Sequence, residues 1–317
     1  MKRERVTTDV AGLDIGKRHL DVGFARSDDH AQFANHVAAF DALLQVLRDH
    51  GVTRVGMEAS GNYERDIRDA LEKAGFEVVV HQPQDIRAFA RFRRIKAKSD
   101  KIDARLIAKA TENWDGITAR RDPDLIELAE MMTFYEQVAR QLAQAKTTTE
   151  HHRLNAVVAM STALIAHLKA AKTRAFKLIQ ARIRQRPDLV NRFEFLKSIP
   201  GIGPVTASIL LIRMPELGCL DHGRAASLIG VAPFDHDSGI LKGKRVISGG
   251  RARPRHFLYI AALAAVRVKT APFKAFAERL RTKGKPPKVI LTAVMRKLIE
   301  AANVILKRQS PWTENPA

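Results

Sequence analysis

Cysteine is almost absent from this sequence, and its scarcity narrows the classes of protein to which the chain can belong. Cys219 is the only cysteine among 317 residues, which excludes an internal disulfide and any zinc site built from several cysteines. Long apolar runs are also missing: those around 209–212 and 259–266 are far shorter than the roughly 20 residues of a membrane-spanning helix. We therefore expect no transmembrane helix and a protein suited to a reducing cytoplasm.

Acidic residues are scarce relative to basic ones. Lys and Arg total 54 against 34 Asp and Glu, a formal net charge of +20, and such an excess is typical of proteins with a polyanionic partner. Nucleic acid is the leading candidate, and the short apolar runs disfavour the competing interpretation, an anionic membrane. The charged start of the chain leads into no apolar stretch, so we expect no secretory signal.

The charge is distributed unevenly along the chain. Residues 1–80 contain 11 basic and 14 acidic side chains, whereas residues 241–317 contain 18 basic and only 3 acidic ones. An acidic N-terminal part needs an explanation in a chain that binds nucleic acid, and a cluster of metal-binding carboxylates supplies one. Ordinary solvated surface charge accounts for most of these residues individually.

Hydrophobic periodicity in the first 80 residues predicts short strands and helices. The strands are expected over 10–14, 20–25, 32–37, 53–57 and 77–80, and the helices from Phe40 to near Gly51 and over 63–74. Three strands followed by alternating helix and strand, and then by helices, predict a mixed sheet covered on both faces. That order is the one used by the ribonuclease H-like fold.

Glycine and proline are nearly absent between Asp124 and Arg186, where apolar residues recur at spacings of three and four. This pattern predicts two long helices. Two stretches of weak helix formers, 147–149 and 160–162, are alternative positions for the turn between them. Such a hairpin exposes an apolar flank, so it either pairs with a second copy of the chain or serves as a spacer within one.

The remaining third of the chain predicts a mainly helical domain. From about residue 191 we expect a helix, a glycine turn, a second helix, a Gly- and Arg-rich stretch as far as Pro254, and two more helices. The last helix is expected over 289–306, after a basic break. The fold class is therefore α/β plus all-α, with a long helical connector between the two parts.

Four carboxylates are candidates for a metal site. Asp14 and Glu58 end two strands that should pair side by side. Asp100 and Asp103 begin a helix and share one of its faces. Converging acids repel one another unless a cation neutralises them, and oxygen ligands favour Mg²⁺, for which Mn²⁺ can substitute. Taken singly, Asp100 could be only a helix cap and Asp14 only a turn residue.

Basic residues crowd around the second pair of acids. They are Arg87, Arg91, Arg93, Arg94, Lys96, Lys98 and Lys101. A run of this kind can lead a phosphate backbone to metal ions, and a pair of such ions can stabilise both the attacking and the leaving oxygen of a phosphoryl transfer.

The segment Ser198-Ile-Pro-Gly-Ile-Gly-Pro, between two apolar helices, has the pattern of a helix-hairpin-helix. In that motif glycines, here Gly201 and Gly203, let backbone N–H groups approach a phosphate at a helix N-terminus. The alternative is a tight turn that contacts no ligand.

A Gly-rich loop farther along offers a nucleophile. Ser238 and Ser248 are both possible, because nearby cations stabilise charge developing on phosphoryl oxygens. Chemistry alone does not choose between them, and a serine in such a loop is often only a turn residue. The cations are Lys242, Lys244, Arg245, Arg251 and Arg253. His222 and His236 are isolated, and we interpret both as surface or packing residues.

Five motifs in order resemble the DEDD-type transposases of the insertion-sequence 110/116/902 group, described as bridge-RNA-guided recombinases. They are Gly12-Leu-Asp-Ile-Gly-Lys, Met57-Glu-Ala-Ser-Gly-Asn-Tyr, Lys98-Ser-Asp-Lys-Ile-Asp-Ala, Ile199-Pro-Gly-Ile-Gly-Pro and Gly230-Val-Ala-Pro through Ser238-Gly. Where many members continue with Gly-Asn and a Leu-Arg pair, this chain has Gly250-Arg-Ala-Arg-Pro-Arg.

The resemblance implies three domains and a set of catalytic residues. A RuvC-like domain over 1–122 would carry the Asp-Glu-Asp-Asp tetrad, which falls on Asp14, Glu58, Asp100 and Asp103. A coiled-coil connector would cover 123–188 and a C-terminal transposase domain 189–317. The family's nucleophilic serine falls on Ser238, in the Ser-Gly pair after the Gly-x-x-Pro motif. A covalent phosphoserine link to DNA, a structured guide RNA and active sites shared between subunits are also implied.

We therefore predict a magnesium-dependent, serine-nucleophile DNA recombinase that acts on donor and target DNA in the bacterial cytoplasm, at the nucleoid. We expect a homodimer that assembles into a tetramer. One alternative is a RuvC-like nuclease that cuts branched DNA with metal-activated water. The other is a non-catalytic nucleic-acid-binding protein, for which the helix-hairpin-helix and the charge suffice.

Overall fold

The computed structural model describes residues 9–61, 63–95, 99–115, 122–221, 223–234, 246–268 and 272–313. The chain divides into two compact units, Met1–Arg120 and Arg121–Ala317. Within the described ranges, none of the helices combines the length and the apolar character needed to cross a membrane.

The first unit is an α/β domain. Its described residues form β1 (Asp9–Ile15), β2 (His19–Phe24), β3 (His30–Ala34), α1 (Val37–Asp49), β4 (Val52–Glu58), α2 (Arg65–Lys73), β5 (Glu77–His81), α3 (Pro83–Phe92) and α4 (Asp100–Glu112). The strands make one sheet in the order β3-β2-β1-β4-β5. Strand β2 is antiparallel to β1 and β3, and β4 is parallel to β1 and β5. The predicted mixed sheet is confirmed, and its assignment as ribonuclease H-like or RuvC-like stays a prediction.

Several predicted boundaries in this unit differ from those of the structure. The third strand was expected over 32–37 but ends at Ala34. His36 is the N-cap of α1 and its imidazole accepts a hydrogen bond from the Ala38 N–H, so the chain turns into the helix earlier than periodicity indicated. The helix expected over 63–74 begins at Arg65, after Glu64 has accepted hydrogen bonds from the N–H and hydroxyl of Ser60.

One face of the sheet packs against α1 and α2. Alternate residues of β1, Ala11, Leu13 and Ile15, are buried in one core with Leu43 and Leu47 of α1. Each fully buried leucine contributes roughly 1.5–3 kcal/mol relative to an exposed one. This core fixes which face of β1 remains for α4.

Helix α4 covers the opposite face, and a row of glycines determines how closely it lies. Gly23, Gly12 and Gly56 are register partners on β2, β1 and β4. A Cβ atom at Gly12 or Gly23 would lie under 3.0 Å from backbone atoms of α4, and one at Gly56 would overlap the Thr111 side chain. Because no side chain fits between sheet and helix, the row brings the start of α4 close to the strand ends.

The second unit is mainly helical in its described residues. These form α5 (Pro123–Thr149), α6 (Asn155–Arg184), α7 (Pro187–Ser198), α8 (Pro204–Arg213), α9 (Arg224–Ile229), α10 (Ala252–Ala265), α11 (Pro272–Thr282) and α12 (Pro287–Arg308). Strands β6 (Pro233–Phe234) and β7 (Val246–Ile247) pair antiparallel. An α/β part followed by a helical part is the coarse fold class that the sequence predicted.

Helices α5 and α6 form an antiparallel pair. The rings of Tyr135 and Phe176 lie 5.5 Å apart, and Arg182 near the end of α6 binds Asp124 near the start of α5 at 2.8 Å. The threonines at 147–149 form the last turn of α5, with hydroxyls that donate to carbonyls four residues earlier. The turn follows them, and the alternative at 160–162 is wrong because those residues lie inside α6.

The base of this hairpin shares a core with the C-terminal helices. Leu128 of α5 and Ile179 of α6 are buried in the same cluster as Leu196 and Leu298. A coiled-coil connector and the three domains over 1–122, 123–188 and 189–317 stay predictions.

The region after residue 213 differs from the expected pattern. Helix α9, six residues long, was not predicted. Helix α10 begins at Ala252, so the loop expected as far as Pro254 is shorter, and three helices follow it instead of two. Pro254 lies in the first turn of α10, where its missing N–H costs no helical hydrogen bond. The last helix, expected over 289–306, is present and extends two residues farther at each end, from Pro287 to Arg308.

Candidate active site

Three acidic residues form a row across the sheet, two residues along from the glycine row. Asp14 on β1 lies directly opposite Asp21 on β2, and Glu58 follows Met57, the register partner of Leu13, on β4. Because side chains alternate along a strand, the three acids project from the same face as the glycines. That face is the one that α4 covers.

The first turn of α4 supplies two more acids, Asp100 and Asp103. The N-cap of the helix is Ser99, whose hydroxyl accepts a hydrogen bond from the Ile102 N–H at 3.3 Å. The alternative that Asp100 is only the cap is therefore wrong. The alternative for Asp14 is also wrong, because this residue lies inside the paired part of β1.

A pocket of about 430 Å³ lies where the strand ends meet α4. Its lining includes the four predicted acids, Asp14, Glu58, Asp100 and Asp103, together with Arg87 of α3. Residues spread from position 14 to position 103 thus share one concave surface. The glycine row explains how α4 comes close enough for this.

The carboxylates of the pocket repel one another. The pKa of Asp14 is raised from 3.8 to about 6. Burial is the largest cause, and the negative charges of Asp103, Asp100, Asp21 and Glu58 follow in that order. Each disfavours the ionised carboxylate. A bound cation would relieve this repulsion.

The four carboxylates are chemically suited to bind magnesium, but their side chains are not close enough to one another to coordinate an ion. Four carboxylates supply the hard oxygen atoms that magnesium prefers. Among the described residues, however, no group of three or more His, Cys, Asp or Glu side chains is close enough to hold a metal ion. Ligation would require the carboxylates to turn toward one another, so their metal-binding role stays a prediction.

Asp21 belongs to this arrangement, and sequence reasoning missed it. Its buried carboxylate lies 2.9 Å from His30 Nε2 and accepts hydrogen bonds from the Gln32 amide at 3.1 and 3.3 Å. A signal was present in the sequence, because Asp21-Val-Gly on β2 repeats in reverse the spacing of Gly12-Leu-Asp on the antiparallel β1.

His81 is a second residue that the sequence did not single out. It is the register partner of Glu58 on β5, and its Nε2 lies 2.8 Å from the hydroxyl of Thr111 on α4. That hydroxyl donates to the Ile107 carbonyl at 2.7 Å. Burial lowers the pKa of His81, so the imidazole joins β5 to α4 in its neutral form.

Comparison with known proteins identifies the family. A DEDD model named for IS110 and described as a transposase matches residues 11–158, and a model described as the transposase IS116/IS110/IS902 family matches residues 193–278. The chain belongs to this transposase family. Pilin gene-inverting proteins of Moraxella bovis and Moraxella lacunata are each 28% identical over 312 residues, which cover 95% of this chain and 96% of the relative. The chain is accordingly a DNA transposase or recombinase.

The predicted basic residues of the transposase near the pocket are partly described. Arg91, Arg93 and Arg94 are exposed at the end of α3. Lys96 and Lys98 lie outside the described residues. Binding of nucleic acid by all five stays a prediction.

The predicted serine loop lies mostly outside the described residues. The undescribed positions of the loop include Ser238, Lys242, Lys244, Arg245 and His236. His222, which precedes α9, also lies outside the described residues. The flanking strands pair, with Pro233 opposite Ile247 and Phe234 opposite Val246. Ser248 follows directly after β7 and is exposed.

Two predicted DNA-contacting arginines of the transposase have internal partners. Arg251 donates to both carboxylate oxygens of Glu216 at 2.8 and 2.6 Å and to the Arg213 carbonyl at 2.7 Å. Arg253 lies 3.0 Å from the buried carboxylate of Glu136. The first pair joins the N-cap of α10 to the turn after α8, and the second joins α10 to α5. The sequence did not predict this structural role.

The two glycines of the helix-hairpin-helix motif differ in their surroundings. Gly201 has a φ of +92°, and a Cβ there would clash with the α10 backbone at Ala261 and Ala265. Its absent side chain is required for packing. Gly203 is the N-cap of α8 and has open space where a Cβ would point, so a ligand can approach there.

Proposed function

We propose that this transposase is a magnesium-dependent recombinase that cuts and rejoins DNA through a serine nucleophile, guided by a structured RNA from its own element. The observation that carries the proposal is the shared pocket of Asp14, Glu58, Asp100 and Asp103, in which the pKa of Asp14 is raised to about 6. Clustered carboxylates that repel one another are typical of a binding site for a divalent cation.

Asp14, Glu58, Asp100 and Asp103 would hold the magnesium. When bound, such ions stabilise the charge on the oxygens of a phosphoryl group in transfer. The carboxylates bind in their ionised form, so the raised pKa of Asp14 makes binding depend on pH near neutrality.

Ser238 would hold the cut strand. Its Oγ attacks phosphorus, the Oγ–P bond forms, the P–O bond to one deoxyribose breaks, and the serine proton goes to the departing oxygen. The reverse transfer joins the held phosphate to a new deoxyribose hydroxyl. Lys242, Lys244 and Arg245 would stabilise the phosphoryl charge during both steps.

The remaining surface supports partners of two kinds. The net charge of +20 and the exposed arginines of α3 suit donor DNA, target DNA and a guide RNA. Phe134, Leu178 and Met160 on the α5–α6 pair are 54%, 61% and 65% exposed, which supports pairing with a second copy. We propose that the resulting dimers assemble into a tetramer. Acting on DNA, the protein would work in the bacterial cytoplasm at the nucleoid.

The decisive experiment for the serine is recovery of a covalent complex. Purified protein is incubated with element DNA, its RNA and Mg²⁺, and denatured samples are tested for DNA ends attached to protein. We expect the adduct with the natural sequence and with the matched control Ser248→Ala, and its loss in Ser238→Ala. A reaction that yields only hydrolysed free ends would instead identify a nuclease that uses metal-activated water.

A second experiment tests the alternative that the chain is a non-catalytic nucleic-acid-binding protein. Asp14→Asn and Glu58→Gln should abolish strand cutting while leaving DNA binding in place. If both variants carry out every DNA transaction of the natural sequence, the acids are not catalytic and the metal-dependent mechanism is wrong.

A further inference from the structure

The end of α3 carries the most exposed large apolar side chain in the described part of the chain. Phe92 is 81% exposed, whereas Ile86 of the same helix is buried in a cluster with Leu106 and Ile107 of α4. Helix α3 is therefore anchored by one face, and the aromatic ring of Phe92 projects away from it. A solvent-exposed phenyl ring does not stabilise the fold, because the hydrophobic contribution to stability comes from burial.

The immediate neighbours of this ring are cations. Arg91, Arg93 and Arg94 are all exposed. The structure gives none of the three an ion pair with another described residue. An aromatic ring among exposed guanidinium groups does not suit an apolar protein surface. It matches the pattern of single-strand nucleic-acid sites, in which rings stack on bases and cations follow the backbone.

One of these arginines, Arg94, lies at the end of α3 in a backbone conformation that is unfavourable for a residue other than glycine. The Ile95 N–H donates to the Ala90 carbonyl at 3.0 Å and the Arg94 N–H to the Arg91 carbonyl at 3.1 Å, the hydrogen bonds of a Schellman motif. The left-handed position of that motif is usually glycine, and here it is Arg94 with a φ of +55°. A costly residue at such a position indicates a function for its side chain.

The end of α3 borders the acidic pocket. Ala90 and Ile95, two residues before and three residues after Phe92, both line that pocket together with Asp14 and Glu58. A strand with a phosphate at the acids therefore has its neighbouring nucleotides within reach of the end of α3. Those nucleotides can stack only if they are unpaired.

We propose that Phe92 stacks on an unpaired base of the DNA strand whose phosphate enters the acidic pocket, and that Arg91, Arg93 and Arg94 bind the phosphates next to it. This inference deepens the proposed function and rests on it for the position of the strand. It assigns the end of α3 as the site that selects melted DNA over duplex DNA at the point of cutting.

The test measures binding without chemistry. The affinity of the full chain for a single-stranded DNA oligonucleotide and for the matched duplex is measured by fluorescence anisotropy in EDTA, without RNA. We expect Phe92→Trp to bind the single strand at least as tightly as the natural sequence, and Phe92→Leu and Phe92→Ala to bind it about ten-fold more weakly. Duplex binding should change little. Val37→Ala, which truncates an apolar side chain that is 65% exposed at the start of α1, is the control and should change neither.

The leucine variant separates stacking from simple apolar contact. If Phe92→Leu binds single-stranded DNA like the natural sequence, the ring is not a stacking platform and the proposal is wrong. A loss confined to a single-stranded RNA oligonucleotide would also overturn it. Unchanged melting temperatures show that the variants fold. Since this assay involves neither metal nor Ser238, its failure is distinguishable from failure of the covalent-adduct experiment.

Discussion

Asp14 and Asp21 lie directly opposite each other on the antiparallel strands β1 and β2, on the sheet face that α4 covers. Asp14 lines the acidic pocket, while Asp21 is buried beside it and bound to His30 and Gln32. The charge of Asp21 is one of the causes that raise the pKa of Asp14. A fifth acid thus acts on the predicted tetrad through electrostatics.

Removing that charge should change the titration of its neighbour. In Asp21→Asn the pKa of Asp14 is expected to fall below the value of about 6, because one source of repulsion is lost. Carboxyl ¹³C NMR of the metal-free protein measures the midpoint directly. Asp41→Asn, an exposed substitution on α1, serves as the control. An unchanged or higher midpoint in Asp21→Asn would show that the two carboxylates are not coupled.

The raised pKa of Asp14 also predicts how stability depends on pH. Between about pH 4 and 6 the folded protein binds more protons at Asp14 than the unfolded chain does, since the pKa is raised from 3.8 to about 6. The contribution of Asp14 to stability therefore falls as pH rises through this window. Asp14→Asn should remove that component from the pH dependence of the melting temperature in EDTA.

Magnesium should reverse this effect at neutral pH. A ligand that binds only the folded state raises its stability by an amount set by concentration over Kd. We expect Mg²⁺ to raise the melting temperature of the natural sequence at pH 7.5, to have little effect at pH 5, and to have little effect on Asp14→Asn at either pH. An equal shift in Asp14→Asn at pH 7.5 would place the magnesium elsewhere.

The glycine row predicts a steric effect. Gly12→Ala places a Cβ under 3.0 Å from the backbone of α4, and overpacking of this kind typically costs about 1–3 kcal/mol of unfolding free energy. Displacement of α4 also moves Asp100 and Asp103, so strand cutting should fall. Urea unfolding measures the first effect. Gly203→Ala, where a Cβ meets open space, is the steric control, and an equally small loss in both variants would contradict the packing account.

Substitution of Arg94 by glycine should change the stability of the fold and the affinity for single-stranded DNA in opposite directions. Arg94→Gly relieves the left-handed conformation at φ +55° and should raise the unfolding free energy by about 1 kcal/mol. The same change should weaken binding to single-stranded DNA and reduce the slope of log affinity against log salt by about one. Arg94→Lys keeps the charge and should retain most of the binding. If Arg94→Gly binds DNA as the natural sequence does, the arginine has no phosphate to contact.

The parts that sequence predicted are those with local signals. Strand alternation and the acids at strand ends placed Asp14 and Glu58 on neighbouring parallel strands, and the spacing of three placed Asp100 and Asp103 on one helix face. Asp21 was missed because it lies in the middle of an apolar strand, and its position opposite Asp14 depends on the pairing of β2 with β1.

Other differences come from contacts between residues distant in sequence. The pairing of Arg251 with Glu216, 35 positions away, has no local pattern, so the sequence predicts only a nucleic-acid-binding role for this arginine. Helix α9 is only six residues long and lies between the left-handed glycines Gly223 and Gly230, a composition typical of a turn. Tertiary packing decides both features.

The metal-binding role of the four acids can be tested with a crystal of the protein soaked with Mn²⁺, which gives an anomalous signal and can replace Mg²⁺. We expect manganese in the acidic pocket, with carboxylate oxygens of Asp14, Glu58, Asp100 and Asp103 at about 2.0–2.2 Å. Asp14→Asn should weaken or abolish that signal. Manganese bound outside the pocket, or carboxylates that remain turned apart in a fully soaked crystal, would show that the four acids do not hold the metal.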